Sequence, residues 1–196
     1  MLIIIGIVFL ILKELGITYD KEIGEAIFAA ITTDTGNFQY SNTNKESFLI
    51  AAELMDWGID TNHVTVEIYQ NERLERILIE NKVMSTLCTL CEGKAAMAYV
   101  TQKMLEETGA EMSETEACVS LLRDIKGVEI SAFIKEIDEG TCKISMRAKT
   151  TANVAQIAEK YDGGGHTKAA GFTLHMGLSD AFEIVKKEIE ESLNND

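Results

Sequence analysis

The residues best placed to do chemistry are Tyr161-Asp162-Gly163-Gly164-Gly165-His166-Thr167-Lys168-Ala169-Ala170-Gly171. Three consecutive glycines let the backbone take positive φ and approach a ligand without side chains in the way. His166 follows at once, and 166–170 is expected to open a short helix. A glycine loop feeding a helix N-terminus is an anion site, because free amides and the positive helix end face one point. His166 adds a donor and Lys168 adds charge. A flexible turn is the plain alternative. A second set lies upstream, where Lys143, Ser145, Arg147 and Lys149 alternate with Cys142, Ile144, Met146 and Ala148. The strand period puts the four on one face. Arginine suits phosphate because its planar fork donates two hydrogen bonds; a solvated strand face is the other reading and fits Lys143.

The elements that position these residues follow from pattern. Asp20 caps a helix to about Thr32, with Ile23, Ala26, Ile27, Ala30 and Ile31 on one face. Thr43 and Glu46 form a capping box for a helix through Phe48, Ala51, Ala52, Leu54 and Met55, stopped by Gly58. A helix begins at Asp60 or Thr61. Another spans roughly 73–87, with Leu74, Ile77, Leu78 and Val83 apolar. Beyond it strand and helix signals alternate. A strand covers Ala95–Val100, and a Ser113/Glu116 capping box opens a helix to about Asp124. A half-buried strand runs from Val128 to Lys135, Glu139-Gly140 turns into the Cys142–Lys149 strand, and Asn153 caps a short helix. Phe172–His175 is a strand, and Ser179 caps a final amphipathic helix.

Composition limits function. The 196 residues are 46% hydrophobic, enough for one large domain or two small ones. A net charge of −14 repels long nucleic acid, so a long-DNA partner is excluded, while a local basic pocket can still take a small phosphorylated ligand. Proline is absent, so no linker or turn is built on it. Of the four cysteines, Cys88 and Cys91 have metal-ligand spacing but no second pair, and reduced thiols are the default. Residues 1–12 are apolar and uncharged, yet too short for a span, which needs about 20 residues. They lack a basic start and a cleavage site, so no membrane partner is expected.

The Gly-Gly-Gly-His and Ala-Ala-Gly runs at 163–171 resemble the C-terminal substrate-binding domain of the DHH phosphoesterases, in the branch of oligoribonuclease and 3′-phosphoadenosine 5′-phosphate phosphatase. Thr33-Asp34-Thr35-Gly36-Asn37-Phe38-Gln39-Tyr40-Ser41-Asn42-Thr43 resembles the last metal-binding motif of that family's catalytic domain. The resemblance runs from about Lys13 to Leu193; the Asp-His-His motif that names the family is absent from this sequence.

The resemblance implies an α/β fold in two parts. A helical remnant of the catalytic domain (1–70) leads through a helical linker (71–81) to a smaller α/β substrate-binding domain with a mixed sheet (82–196), with substrate in the cleft between. It makes Asp34 a catalytic ligand to one of two Mn²⁺ or Mg²⁺ ions, which activate water and stabilise an in-line phosphoryl displacement. It gives Arg147, Gly163, Gly164, Gly165 and His166 the phosphate of a short oligoribonucleotide or phosphorylated nucleotide. The expected activity is metal-dependent phosphoester hydrolysis in the cytoplasm. The missing motifs make this chain a truncated remnant deficient in hydrolysis, with a non-catalytic nucleotide- or RNA-binding module as the alternative. The apolar face of residues 1–15 would then be uncovered, and a homodimer is expected.

Overall fold

The computed structural model describes residues 2–17, 20–40 and 42–194, so Met1 and Ser41 of the readings above lie outside the described residues. The chain divides into two compact units, Met1–Glu72 and Arg73–Asp196, the second being the longer stretch.

The first unit is four helices: α1 (Leu2–Glu14), α2 (Lys21–Asp34), α3 (Lys45–Asp56) and α4 (Thr61–Tyr69). Asp20 caps α2 by accepting from the Ile23 amide at 3.0 Å, and Asp60 caps α4 by accepting from His63 at 2.9 Å. The capping box of α3 lies one residue further on than expected, on Asn44 and Ser47 rather than Thr43 and Glu46. Asn44 accepts from the Ser47 amide at 3.0 Å, and the Ser47 hydroxyl accepts from the Asn44 amide at 3.3 Å. α3 buries Ile50 and Leu54 and leaves Phe48 and Met55 exposed; α2 buries Ile27, Phe28 and Ile31 and leaves Ala26 exposed. Phe9 of α1 stacks on Trp57 at 5.5 Å to close this core.

The second unit is a six-stranded mixed sheet with helices on both faces. Its strands are β1 (Cys88–Leu90), β2 (Ala95–Val100), β3 (Ile130–Asp138), β4 (Thr141–Ala148), β5 (Gly164–His166) and β6 (Ala169–Leu174). The order is β1-β2-β3-β4-β6-β5, with β2 and β3 parallel and every other pair antiparallel. α8 (Val154–Glu159) and α9 (Leu178–Asn194) cover one face over Met97, Ile130, Ala132, Ile144, Met146 and Phe172. On the other face, α5 (Leu74–Met84), α6 (Gln102–Thr108) and α7 (Cys118–Asp124) cover β2 and β3, burying Ala96, Ala98, Val100 and Phe133.

Three expectations are corrected here. β3 is buried on both faces rather than half-buried, because α7 covers Ser131 and Phe133. α5 turns Ile79 and Val83 inward, while Leu74, Ile77 and Leu78 are exposed. α7 is shorter than the helix expected after Ser113: a 3₁₀ turn at Met112–Thr115 comes first, with Glu111 and Glu114 as its reciprocal cap.

Candidate phosphate-binding face

The glycine run does not feed a helix. Gly164–His166 is a strand, Thr167-Lys168 is a two-residue turn, and the chain returns as β6. Ala169 and Ala170 are good helix formers, but tertiary packing wins: Ala170, Phe172 and Leu174 alternate into the core, which only an extended chain allows. Of the three glycines only Gly165 has positive φ, at +146°. A Cβ there would lie 2.4 Å from the Ala169 oxygen, and one on Gly163 would lie 2.4 Å from the Gly171 oxygen. Gly164 differs: a Cβ on it would meet nothing within 4 Å. Two glycines therefore close the hairpin, and the third leaves open space above the sheet.

Lys168 is occupied elsewhere. Its ammonium donates to the Thr150 carbonyl and, at 3.1 Å, to the Ala152 carbonyl, tying the hairpin turn to the loop after β4. The same loop is held by Glu129. That carboxylate accepts from the amides of Thr150 (2.9 Å), Thr151 (2.7 Å) and Ala152 (2.9 Å), and from the Thr150 hydroxyl (2.6 Å). Burial pushes its pKa up, but these hydrogen bonds outweigh burial and hold it down at about 2.

Register then assembles the site. Arg147 pairs with Ala169, and Ala169 with His166, so the three lie in one row across β4, β6 and β5. In the next row Ser145 pairs with Gly171, and Gly171 with Gly164. Neighbouring strands are about 4.8 Å apart, which puts Arg147 and His166 roughly 10 Å apart at the backbone. Between them the floor is only Ala169, Ser145, Gly171 and Gly164. His166 and Gly164 are exposed, and the others are half-buried. A pocket of about 400 Å³ extends the floor past Gly171 to Lys143, Thr173 and His175.

Arg147 is set into this face. Its Nη1 donates to the Met146 carbonyl at 2.9 Å. Burial, and then the neighbouring Arg123 charge, hold its pKa below the usual guanidinium value, against the pull of Glu116. A half-buried guanidinium beside a second one suits a bound anion, because its planar fork donates two hydrogen bonds.

Asp34 lies in the first unit, at the end of α2, half-buried. The Asn42 amide donates to its carbonyl at 3.0 Å and its carboxylate at 3.4 Å. The motif is a tight loop: Thr35 donates to Ile31 at 2.7 Å and accepts from the Phe38 amide at 3.0 Å, and Asn37 and Phe38 both take positive φ. Gly36 takes φ +55°, which favours glycine, and a Cβ there would lie 2.3 Å from the Tyr40 ring and displace it. A hard divalent ion needs about six oxygen ligands. Among the described residues no three His, Cys, Asp or Glu side chains come together. Asp34 alone does not fit a two-metal centre.

The sequence assigned Arg147 and His166 to one site, and the structure sets them in one row through Ala169, which the expected helix start did not provide. The signal was the alternation Ala170, Phe172, Leu174, which sets β6 beside β4 and makes Gly171 and Ala169 the floor.

A DHHA1 domain matches residues 81–195. The bifunctional oligoribonuclease and PAP phosphatase NrnA of Thermus thermophilus is 33% identical over 180 residues, which is 91% of this chain and 53% of that protein. The protein of the same name from Bacillus subtilis is 28% identical over 164 residues, 83% of this chain and 51% of that protein. The chain thus spans about half the length of the curated relatives it matches. Among solved structures, an exopolyphosphatase-related protein from Bacteroides fragilis superposes with a TM-score of 0.85 at 26% identity, covering 95% of this chain and 56% of that one. By that match over more than half of its length, the chain belongs to the DHHA1 domain family of DHH phosphoesterase relatives.

Proposed function

We propose that this chain holds the phosphate-bearing end of a short oligoribonucleotide, or of a nucleotide such as 3′-phosphoadenosine 5′-phosphate, on the open face of the second unit's sheet. It does so as the substrate-holding part of a phosphoesterase whose hydrolysis depends on Mn²⁺ or Mg²⁺. By itself it hydrolyses little. One observation carries the reading: Arg147 and His166 stand in one row, separated by a floor of small residues. A nucleotide phosphate fits such a trough, with the guanidinium on one side and the imidazole on the other. The names of the relatives, oligoribonuclease and PAP phosphatase, support the ligand class.

Binding without efficient hydrolysis is favoured by the donor set. Asp34 has one polar side-chain neighbour, Asn42, and no carboxylate or imidazole cluster around it among the described residues. A second copy of this chain is proposed to cover the exposed side of α1, where Ile4, Ile7, Leu10 and Ile11 are each half or more exposed. No helix among the described residues is long and apolar enough to cross a membrane, and the proposed setting is the cytoplasm.

The test is turnover of a 5′-phosphorylated oligoribonucleotide by purified chain with Mn²⁺, beside Asp34→Ala and His166→Ala. The expected result is negligible turnover by all three, with binding by the parent and Asp34→Ala. Brisk turnover abolished by both substitutions would overturn the deficiency and place a working metal site here.

A further inference from the structure

The short helix α7 forms one wall of the trough, and two hydrogen bonds fix its course. Ser131 is the cross-strand partner of Arg147, and its hydroxyl donates to the Val119 carbonyl of α7 at 2.8 Å. Lys149, two residues past Arg147 and on the same face, donates to the Ile125 carbonyl at the end of α7 at 2.8 Å. The stretch from Val119 to Ile125 therefore runs alongside Arg147. Arg123 is one helical turn past Val119 and shares its side of α7.

The charges along this wall are uneven. Glu116, at the far end, is ion-paired with the buried Lys135. Arg123 keeps 28% of its side chain exposed, and its own partner is the adjacent Asp124, through Nε at 3.0 Å and Nη2 at 2.8 Å. Asp124 is 62% exposed, so this pair is weak and can be exchanged for a ligand. Two guanidiniums thus flank one end of a floor made of small side chains.

Taking the binding reading above as given, we propose that Arg123 is a specificity-determining residue of this face. With Arg147 it holds a terminal, doubly charged phosphate, so that the site prefers a phosphorylated nucleotide end to a hydroxyl end. A terminal phosphate monoester carries up to two charges and three free oxygens, enough for two forks and an imidazole. An internal diester carries one charge and two free oxygens and needs one fork only.

The experiment compares 5′-phosphorylated diadenylate with its 5′-hydroxyl counterpart on the full chain by calorimetric titration. The proteins are the parent, Arg123→Gln, Arg123→Lys and, as a control of equal charge change, the exposed Lys126→Gln. The parent and Lys126→Gln should prefer the phosphorylated ligand by about tenfold or more. Arg123→Gln should lose that preference while keeping its affinity for the hydroxyl ligand within about threefold, and Arg123→Lys should fall between. A preference retained in Arg123→Gln overturns the assignment, as does a parent that binds both ligands equally. A parent that binds neither overturns the binding reading itself and this assignment with it. If Arg123→Gln melts well below the parent, Arg123→Lys decides: a reduced preference supports the clamp, and an unchanged one overturns it.

Discussion

At the scale of single residues, Glu129 and the glycines separate structure from site. Glu129 accepts hydrogen bonds from four donors in the loop after β4, and its pKa is held at about 2 against an ordinary 4.5. A carboxyl depressed in the folded state stabilises above its unfolded pKa and loses that contribution as pH falls through the folded one. Glu129→Gln is therefore expected to cost roughly 1–2 kcal/mol at pH 7 once solvent screening is allowed for. Urea unfolding at pH 7 and pH 3 should show the gap between parent and variant narrowing over the window from 4.5 to 2. Gly165→Ala forces a Cβ to 2.4 Å from a backbone oxygen at φ +146° and should lose about 2 kcal/mol or more. Gly164→Ala meets no neighbour, so its melting temperature should match the parent's within error while its nucleotide affinity drops. Equal effects of the two on melting would contradict the division made between them.

At the scale of elements, the second unit shows what could be read from sequence and what could not. The β3–β4 hairpin was legible, because both strands alternate cleanly and Glu139-Gly140 marks the turn. The basic face of β4 was legible for the same reason. The hairpin of β5 and β6 was not. Gly-Gly-Gly-His ahead of Ala-Ala satisfies the rule for a helix start, and only packing of Ala170 and Phe172 decides for a strand. β1 and α6 are three and seven residues long, too short for periodicity to resolve. The misreading carried a chemical error with it, since Lys168 in a helix start would face the anion. In the hairpin its ammonium ties down the Thr150 and Ala152 carbonyls instead. Lys168→Met should thus lower the melting temperature but change nucleotide affinity by less than about threefold, whereas Arg147→Met should weaken binding by tenfold or more. Equal losses of affinity would restore Lys168 to the site.

At the scale of the whole chain, composition and site point in different directions. A charge of −14 works against nucleic acid in general, yet Lys143 and Arg147 share one face of β4, and the Arg123 charge on α7 acts on Arg147. The proposed site would select small phosphorylated ligands over long polymers, because a long strand would meet the acidic surface beyond the trough. The exposed apolar side of α1 is the other feature at this scale. Ile7→Lys with Ile11→Lys should shift sedimentation from dimer toward monomer without changing nucleotide affinity, and a monomeric parent would contradict the pairing. What the sequence left open was how α1 presents itself: eleven apolar residues in a row carry no amphipathic period, so the side that Phe9 buries cannot be chosen from pattern alone. The most direct test of the binding face is the affinity of the chain for a short 5′-phosphorylated oligoribonucleotide in excess chelator, beside His166→Ala. Binding should persist without divalent metal and fall by about tenfold or more in the variant. Binding that needs Mn²⁺, or that ignores His166, would contradict a phosphate site built on this sheet.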